Sequence, residues 1–336
     1  MREVSDRDIL KICYLYYREE RTQEEISELV GYSRFKISRI LKEARRRGLV
    51  VITITDPRVD LTETEIELAR EFDLKQAIVV RTNEFSGRPT MDQVGQAAAR
   101  YLREVVGRHR VMGVTWGLTV YHVASNLEPL DAANLSLVQI GGGLGTIEGS
   151  GNNMLTMTFA QKLGAKALLV PAPVIVRNRA IRDTLFKEKK IQETLAVAKQ
   201  ADLVLFGVGM IGREGLLWKS GFLNKTDTLK LKESGAVGAI CGRFFDAHGQ
   251  QCWHELDDRT IGLNLDELRN IRHKICVATG EEKVEGVLGA LRGRLVDVLV
   301  TDEEMARHLL TQDSRAFSTS STLPERKKAT LKGSGR

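Results

Sequence analysis

The stretch Thr22–Arg47, TQEEISELVGYSRFKISRILKEARRR, decides how the first part of this chain is read. Ile26, Leu29 and Val30 recur at helical spacing in its first half; Ile37, Ile40, Leu41 and Ala44 do so in its second. Gly31 separates the two runs, and glycine reaches the left-handed conformation that a sharp turn between helices needs. Thr22, with Glu25 three residues on, forms a capping box for the first helix, and Ser33 suits the N-cap of the second. The second helix carries Arg34, Lys36, Arg39, Lys42, Arg45, Arg46 and Arg47 against the single acid Glu43. One apolar and one basic face suit a helix that packs on its own domain and meets phosphates in a DNA groove. A solvated basic surface helix is the plainer reading of the charge alone; turn, caps and charge together favour DNA. The residues expected to meet DNA are Thr22, Gln23, Ser33, Arg34, Lys36, Ser38, Arg39 and Lys42.

The flanks extend this unit. Gly48 stops the helix, and Leu49–Ile54 is rich in β-branched residues, which predicts a wing strand. Upstream, Ile9, Leu10, Ile12, Cys13 and Tyr16 give a leading helix from Asp6 to Tyr17 an apolar face, capped by Ser5 or Asp6. Downstream, Asp56-Pro57 marks a linker. Leu61–Phe72 then reads as an acidic amphipathic helix that packs on the next domain or pairs with its own copy.

At 336 residues the chain is long enough for two or three domains. A hydrophobic content of 42% supports a sizeable core. No apolar run approaches the ~18 residues of a membrane span, and Met1-Arg-Glu-Val-Ser-Asp6 does not resemble a signal peptide. Cys13, Cys241, Cys252 and Cys276 form no C-x-x-C pair, so they are read as reduced thiols of a cytoplasmic protein. Charge is uneven: residues 1–54 hold 12 basic and 9 acidic side chains, 55–312 hold 32 and 33, and 313–336 hold 6 and 2. Basic character at the two ends argues against a protein that binds polyanions over its whole surface.

From Gln76 onward apolar strand runs alternate with helical ones. The strands are Ala77–Val80, Val111–Val114, Leu135–Ile140, Ala167–Val170, Leu203–Phe206, Ala236–Cys241, Ile275–Ala278 and Val296–Thr301. The helices between and after them are Met91–Val105, Thr119–Leu127, Asn152–Leu163, Ile181–Gln200, Asp227–Ser234, Leu265–Ile271, Lys283–Leu291 and Asp302–Leu310. Such alternation predicts a mostly parallel sheet covered on both faces, with ligands at the carboxyl ends of the strands.

Several strand ends carry loops of interest. Gly113–Thr119 offers small residues, hydroxyls and a helix N-terminus to an anion. Gly141-Gly142-Gly143-Leu144-Gly145 and Gly149-Ser150-Gly151 precede another helix. Gly207-Val-Gly209-Met-Ile-Gly212 has the dinucleotide-binding spacing, but Arg213–Gly221 after it forms no convincing helix, and no strand-end acid stands at the usual distance of about 20 residues. Glycines kept for tight turns and close backbone approach explain each loop taken singly. Asp246 ends a strand-like run, and Lys283 stands at a helix start, where a solvated first-turn lysine is the plainer reading. Asp246, His248, Cys252 and His254 match no zinc spacing, so no metal is expected. Residues 313–336 read as a disordered basic tail.

Taken together, TQEEI, SRFKISRILKEARRRGLV, GVTWGLT, ADLVLFGVG, GAVGAICGRFFDAHG, TGEEKVEGVLGALRG and VLVTDE resemble the SorC/DeoR-type sugar-binding transcriptional regulators over nearly the whole chain. The resemblance implies an effector domain related to sugar-phosphate isomerases, a phosphorylated sugar as effector, and a homotetramer on operator DNA. It implies that Thr115, Trp116, Gly117, Leu118, Thr119 and Lys283 hold phosphate, that Asp246 holds sugar hydroxyls, and that Gly141, Gly142 and Gly143 line the pocket. Leu118 stands where the family loop often has a polar or basic residue.

The resulting expectation is an α/β protein. A winged helix-turn-helix (1–55) and a linker or oligomerisation helix (56–75) precede a doubly wound, mostly parallel effector domain (76–312) and the tail. Its function is to regulate a carbohydrate catabolic operon under a sugar or sugar-phosphate effector. It needs no cofactor and no catalysis, and it works as a homo-oligomer, a dimer of dimers, away from membranes. Two alternatives remain open: a sugar-phosphate isomerase-like enzyme, and an NAD(H)-responsive redox regulator.

Overall fold

The computed structural model describes residues 5–50, 59–81, 89–145 and 152–320. The chain divides into two compact units at Val59/Asp60.

The first unit is built on three helices, α1 (Asp6–Tyr17), α2 (Gln23–Val30) and α3 (Arg34–Arg46). Ser5 with Asp8 and Thr22 with Glu25 form capping boxes, and the Ser33 hydroxyl accepts from the Lys36 amide. Each of these satisfies amides that a helix start would otherwise leave without a partner. Gly31 has φ 71°, the left-handed conformation that swings α3 away from α2. Ile9, Ile12, Cys13, Ile26, Tyr32, Ile37, Ile40, Leu41 and Ala44 form one core. The wing expected over Leu49–Ile54 falls mostly outside the described residues.

In the second unit α4 (Val59–Glu71) precedes β1 (Gln76–Val80), α5 (Thr90–Val105), β2 (Val111–Val114), α6 (Leu118–Asn126), β3 (Ser136–Gln139), α7 (Asn152–Leu163) and β4 (Lys166–Leu168). After these come α8 (Arg179–Leu185), α9 (Lys189–Ala198), β5 (Leu203–Phe206), α10 (Leu216–Lys219), α11 (Lys225–Glu233), β6 (Gly238–Ile240) and β7 (Arg243–Phe245). The remainder is α12 (His254–Asp257), α13 (Leu265–Arg269), β8 (Lys274–Val277), α14 (Val284–Arg292), β9 (Val298–Asp302) and α15 (Glu303–Ser320).

Seven of the strands form one sheet in the order β1-β9-β8-β5-β2-β3-β4, every neighbouring pair parallel. Starting at β2, the chain winds outward through β3 and β4, then returns to the far side of β2 for β5, β8 and β9. The winding direction reverses between β2 and β5, so the loops leaving their carboxyl ends diverge and open a crevice. Helices cover both faces, and β5 shows why its sequence is apolar throughout. Leu203 and Leu205 join a core with Leu137 and Phe159 on one face; Val204 and Phe206 join one with Ile140 and Leu299 on the other.

β1 is an edge strand that pairs along its length with β9, from Gln76–Val298 to Val80–Asp302. α4 belongs to this unit: Leu68 is buried in its core, with Leu61, Ala69 and Phe72 packed against it. Glu65 on α4 accepts from the Val79 amide at 2.8 Å, which gives an edge-strand donor a partner within the chain.

Three expectations are corrected. Ala236–Cys241 supplies no strand to the main sheet: β6 pairs antiparallel with β7 in a separate ribbon. Cys241 at φ 50° and Gly242 at φ 80° make the two-residue turn that such a hairpin needs. The helix expected over Ile181–Gln200 is broken at Phe186–Glu188, where Leu185 and Phe186 turn in to pack on Val170, Val176 and Ile261. The tail expected from residue 313 begins as helix, because α15 runs on to Ser320. No glycine or proline interrupts it there. Asp302 caps its start by accepting from the Met305 amide at 2.9 Å. Residues 321–336 of the expected tail lie outside the described residues.

Candidate functional site

Two loops meet at the β2/β5 crevice. Thr115-Trp116-Gly117 leaves β2 and enters α6, and Gly207-Val208-Gly209-Met210 leaves β5. A side chain at position 207 would place its Cβ 2.5 Å from the Thr119 Oγ1, so glycine is what lets the loops abut. The β6–β7 ribbon closes the far wall: Gly209 donates to the Ala239 carbonyl at 2.8 Å, and Ala239 donates back at 3.1 Å. These elements enclose a cavity of about 280 Å³ lined by residues 116–119, 207–210 and 214–217 with Lys219, Ala239, Cys241 and Lys283; Lys219 is paired with Glu214 at 2.9 Å. An adjoining cleft of about 600 Å³ shares Val208, Gly209, Met210, Glu214 and Lys283 with it.

The chemistry of this cavity is mixed. α6 starts at Gly117, at φ 143°, with no capping side chain, so its first-turn amides and the positive end of its dipole are open to an anion. Lys283 arrives from the opposite side on a short 3-10 turn, Glu281–Lys283, that follows β8. That turn is tied to β9, because the Thr279 hydroxyl donates to Asp302. Burial lowers the pKa of the Lys283 ammonium, against the opposing pull of Glu282, Cys276 and Asp302. No described residue hydrogen-bonds or ion-pairs with that ammonium. Thr115 is buried and its hydroxyl finds no partner among the described residues. Burial pushes the Cys241 and Cys276 thiols up to about 12, so neither is a nucleophile at neutral pH. An open helix N-terminus, a cation without a partner among the described residues and mostly apolar walls suit an organic anion.

A third cavity of about 490 Å³ shares no lining residue with these two. Its charges are matched within the chain: Arg243 meets Asp257 at 2.8 Å and Lys199 meets Glu267 at 2.9 Å. Arg243 also donates to the carbonyls of Leu263, Thr260 and Gly262, which makes it a brace between loops.

On the first unit, α3 buries Ile37, Ile40, Leu41 and Ala44 and leaves Arg34, Arg39, Lys42, Arg45 and Arg46 exposed. Arg34 lies 3.5 Å from Glu24, and Lys36 sits over the Tyr32 ring at 4.3 Å.

Residues 56–311 match the model of the sugar-binding domain family. The chain belongs to that family, among the SorC/DeoR-type transcriptional regulators. It is 35% identical over 308 residues to the deoxyribonucleoside regulator of Bacillus subtilis, covering 90% of this chain and 96% of that protein. Over the same length it is 30% identical to the sorbitol operon regulator of Klebsiella pneumoniae, covering 98% of it. The crystal structure of that full-length regulator superposes with a TM-score of 0.71 over 90% of this chain. A DeoR family regulator from Listeria monocytogenes reaches 0.70 at 28% identity over 74% of it. Among the described residues no helix of this SorC/DeoR-type regulator is long and apolar enough to cross a membrane.

Trp116, Gly117, Leu118, Thr119 and Lys283, which the family resemblance marked, all line the cavity of this regulator, and Thr115 is buried directly before them. Gly141, Gly142 and Gly143 do not. The Gly142 and Gly143 amides donate to the Ile261 and Ala172 carbonyls, the Gly143 carbonyl accepts from the Val174 amide, Gly141 bridges to Gly262, and a Cβ on Gly142 would lie 2.4 Å from the Pro173 carbonyl oxygen. That run is packed backbone behind the cavity wall: Trp116 Nε1 donates to the Gly142 carbonyl at 3.3 Å, and a Cβ on Gly141 would lie 2.5 Å from the Cys241 Sγ. The following Gly149-Ser150-Gly151 lies outside the described residues. Asp246 does not line the cavity either: its Oδ1 accepts from the amides of His248 and Gln250 at 2.9 Å, holding its own turn.

The sequence does not mark Gly207–Met210 as cavity residues, because their spacing reads as a dinucleotide fingerprint or as glycines kept for tight turns and close backbone approach. That fingerprint needs a helix directly after the glycines, and here only the four residues of α10 come next. Two glycines directly after a buried strand were the available signal. Thr22 and Ser33, expected at DNA, spend their hydroxyls as caps. Among the described residues no three His, Cys, Asp or Glu side chains gather to hold a metal ion.

Proposed function

We propose that this SorC/DeoR-type protein regulates a carbohydrate catabolic operon in the cytoplasm. It binds operator DNA through α3 and releases or tightens that hold when a sugar or sugar phosphate occupies the β2/β5 crevice. It acts without catalysing a reaction, and as a homo-oligomer, since one helix-turn-helix covers one half-site and a symmetric operator needs two. The observation that carries this reading is the convergence at one crevice of the open N-terminus of α6 and the half-buried ammonium of Lys283, on a chain whose other unit bears a basic helix. The names of relatives, one for sorbitol and one for deoxyribonucleosides, support a ligand of the carbohydrate class.

A sugar phosphate would set its phosphate between the α6 amides and Lys283, with its carbon skeleton along the apolar wall. Ligand bound this way shifts DNA affinity only through its different affinity for the DNA-competent and the other state. The deciding experiment is a thermal-shift screen of the full chain against sugar phosphates, free sugars and polyols, because a ligand of the folded state alone raises the melting temperature. Compounds that stabilise are then added to a mobility-shift assay on operator DNA. A stabilising sugar phosphate that alters DNA binding supports the reading. Turnover of that compound would overturn the non-catalytic part, and a stabilising ligand without effect on DNA would overturn the regulatory part.

A further inference from the structure

Phe35 is 88% exposed, more than any other large apolar side chain among the described residues. It is not a straggler at the edge of a core. Successive residues of an α-helix turn by about 100°. Ile37, Ile40, Leu41 and Ala44 define the buried side of α3, and Phe35, Arg39, Lys42 and Arg46 all fall within about 30° of the opposite direction. The ring thus stands at the centre of the exposed face, in the first turn of the helix. Arg39, Lys42 and Arg46 continue that face as exposed cations. The core of the unit does not include Phe35.

A phenyl ring offers no hydrogen bond to a phosphate or a base edge. Set into a major groove, it needs an apolar partner, and the apolar group that base pairs present there is the C5-methyl of thymine, which 5-methylcytosine shares. The three cations behind it on the same face suit the phosphates flanking that groove. We propose that Phe35 reads a C5-methyl pyrimidine in each operator half-site by apolar contact, while the basic residues of α3 fix the helix on the backbone. This rests on α3 being the DNA-facing helix, and the test separates the two ideas.

Full-length wild type, Phe35→Ala and Arg39→Ala are each used to select sites from a random duplex pool. The wild-type consensus should hold a thymine column in each half-site that Phe35→Ala no longer selects. Arg39→Ala should keep that column and bind every site more weakly. The best wild-type site is then remade with uracil in the column, which removes the methyl group alone. Wild type should bind it about four-fold more weakly per half-site, the scale of one buried methyl, and Phe35→Ala should not distinguish the two duplexes. In a duplex carrying cytosine there, methylation at C5 should restore wild-type binding. If uracil is tolerated at every thymine column while Arg39→Ala weakens binding, Phe35 is no reader and the DNA-facing role of α3 survives. If neither substitution changes DNA binding, that role fails as well. Phe35→Ala should melt as the wild type does, and a lower melting temperature would assign the ring a structural role and sink the inference.

Discussion

Lys283 and Asp246 are both charged residues in loops that follow strands, and the family resemblance gives each a part in holding the effector. Their surroundings now separate them. Lys283 faces a cavity and, among the described residues, its ammonium has no hydrogen-bond or ion-pair partner, so Lys283→Ala should leave operator binding intact and raise the effector concentration for half-maximal response by about 10–150-fold, the range of one charged hydrogen bond. A mobility-shift titration with and without effector measures it; an unchanged dose response would place the anion site elsewhere. Asp246 already accepts from two amides of its own turn. Asp246→Ala should therefore cost about 1.5–3 kcal/mol of stability, seen as a lower melting temperature, with the dose response kept. A lost response at an unchanged melting temperature would instead return Asp246 to the ligand.

At the scale of elements, α4 and β1 carry a pH-dependent joint. Burial raises the pKa of the Glu65 carboxyl, with the hydrogen bond from Val79 opposing. A carboxyl whose folded pKa lies above its unfolded one contributes most below the unfolded value, and that contribution is lost as pH rises through the folded one. Glu65→Gln keeps an acceptor for the Val79 amide and removes the charge. The variant should melt higher than wild type at pH 7 and converge on it towards about pH 4, near the ordinary glutamate value. Equal melting curves across that range would show that the carboxylate is well solvated.

Elements were also the level at which the sequence could be read. β2, α7 and β5 fall on the expected residues because each is a continuous periodic run bounded by turn formers. The β6–β7 hairpin escaped because its turn, Cys241-Gly242, gives no cue beyond a single glycine. The site was half legible for a related reason. Glycines that admit a ligand and glycines that admit another backbone look alike in sequence, and only the strand order separates Gly207 at the crevice from Gly142 packed on Pro173.

For the whole molecule, the division at Val59/Asp60 sets apart a small unit whose basic residues gather on one helix, α3, from a larger unit that is nearly neutral up to residue 312 and basic only after it. Residues 1–59 alone should bind operator weakly and with a steep dependence on salt, since phosphate contacts then act without the help of a second half-site. Residues 60–336 should remain oligomeric by light scattering. A monomeric 60–336 fragment would refute the assembly proposed for this chain.

The pairing of β1 with β9 also bears on how the protein is made. On the ribosome β1 emerges long before the strand it must pair with, Val298–Asp302. Until then Ala77-Ile78-Val79-Val80 is an apolar segment with open backbone groups, and closing so long a loop is slow. The second unit can complete its sheet only after synthesis has passed Asp302, which leaves nascent chains open to mispairing in the meantime. Chains that stop short of β9 should accordingly gather in the insoluble fraction, and chaperones should be found on the nascent chain while β1 waits.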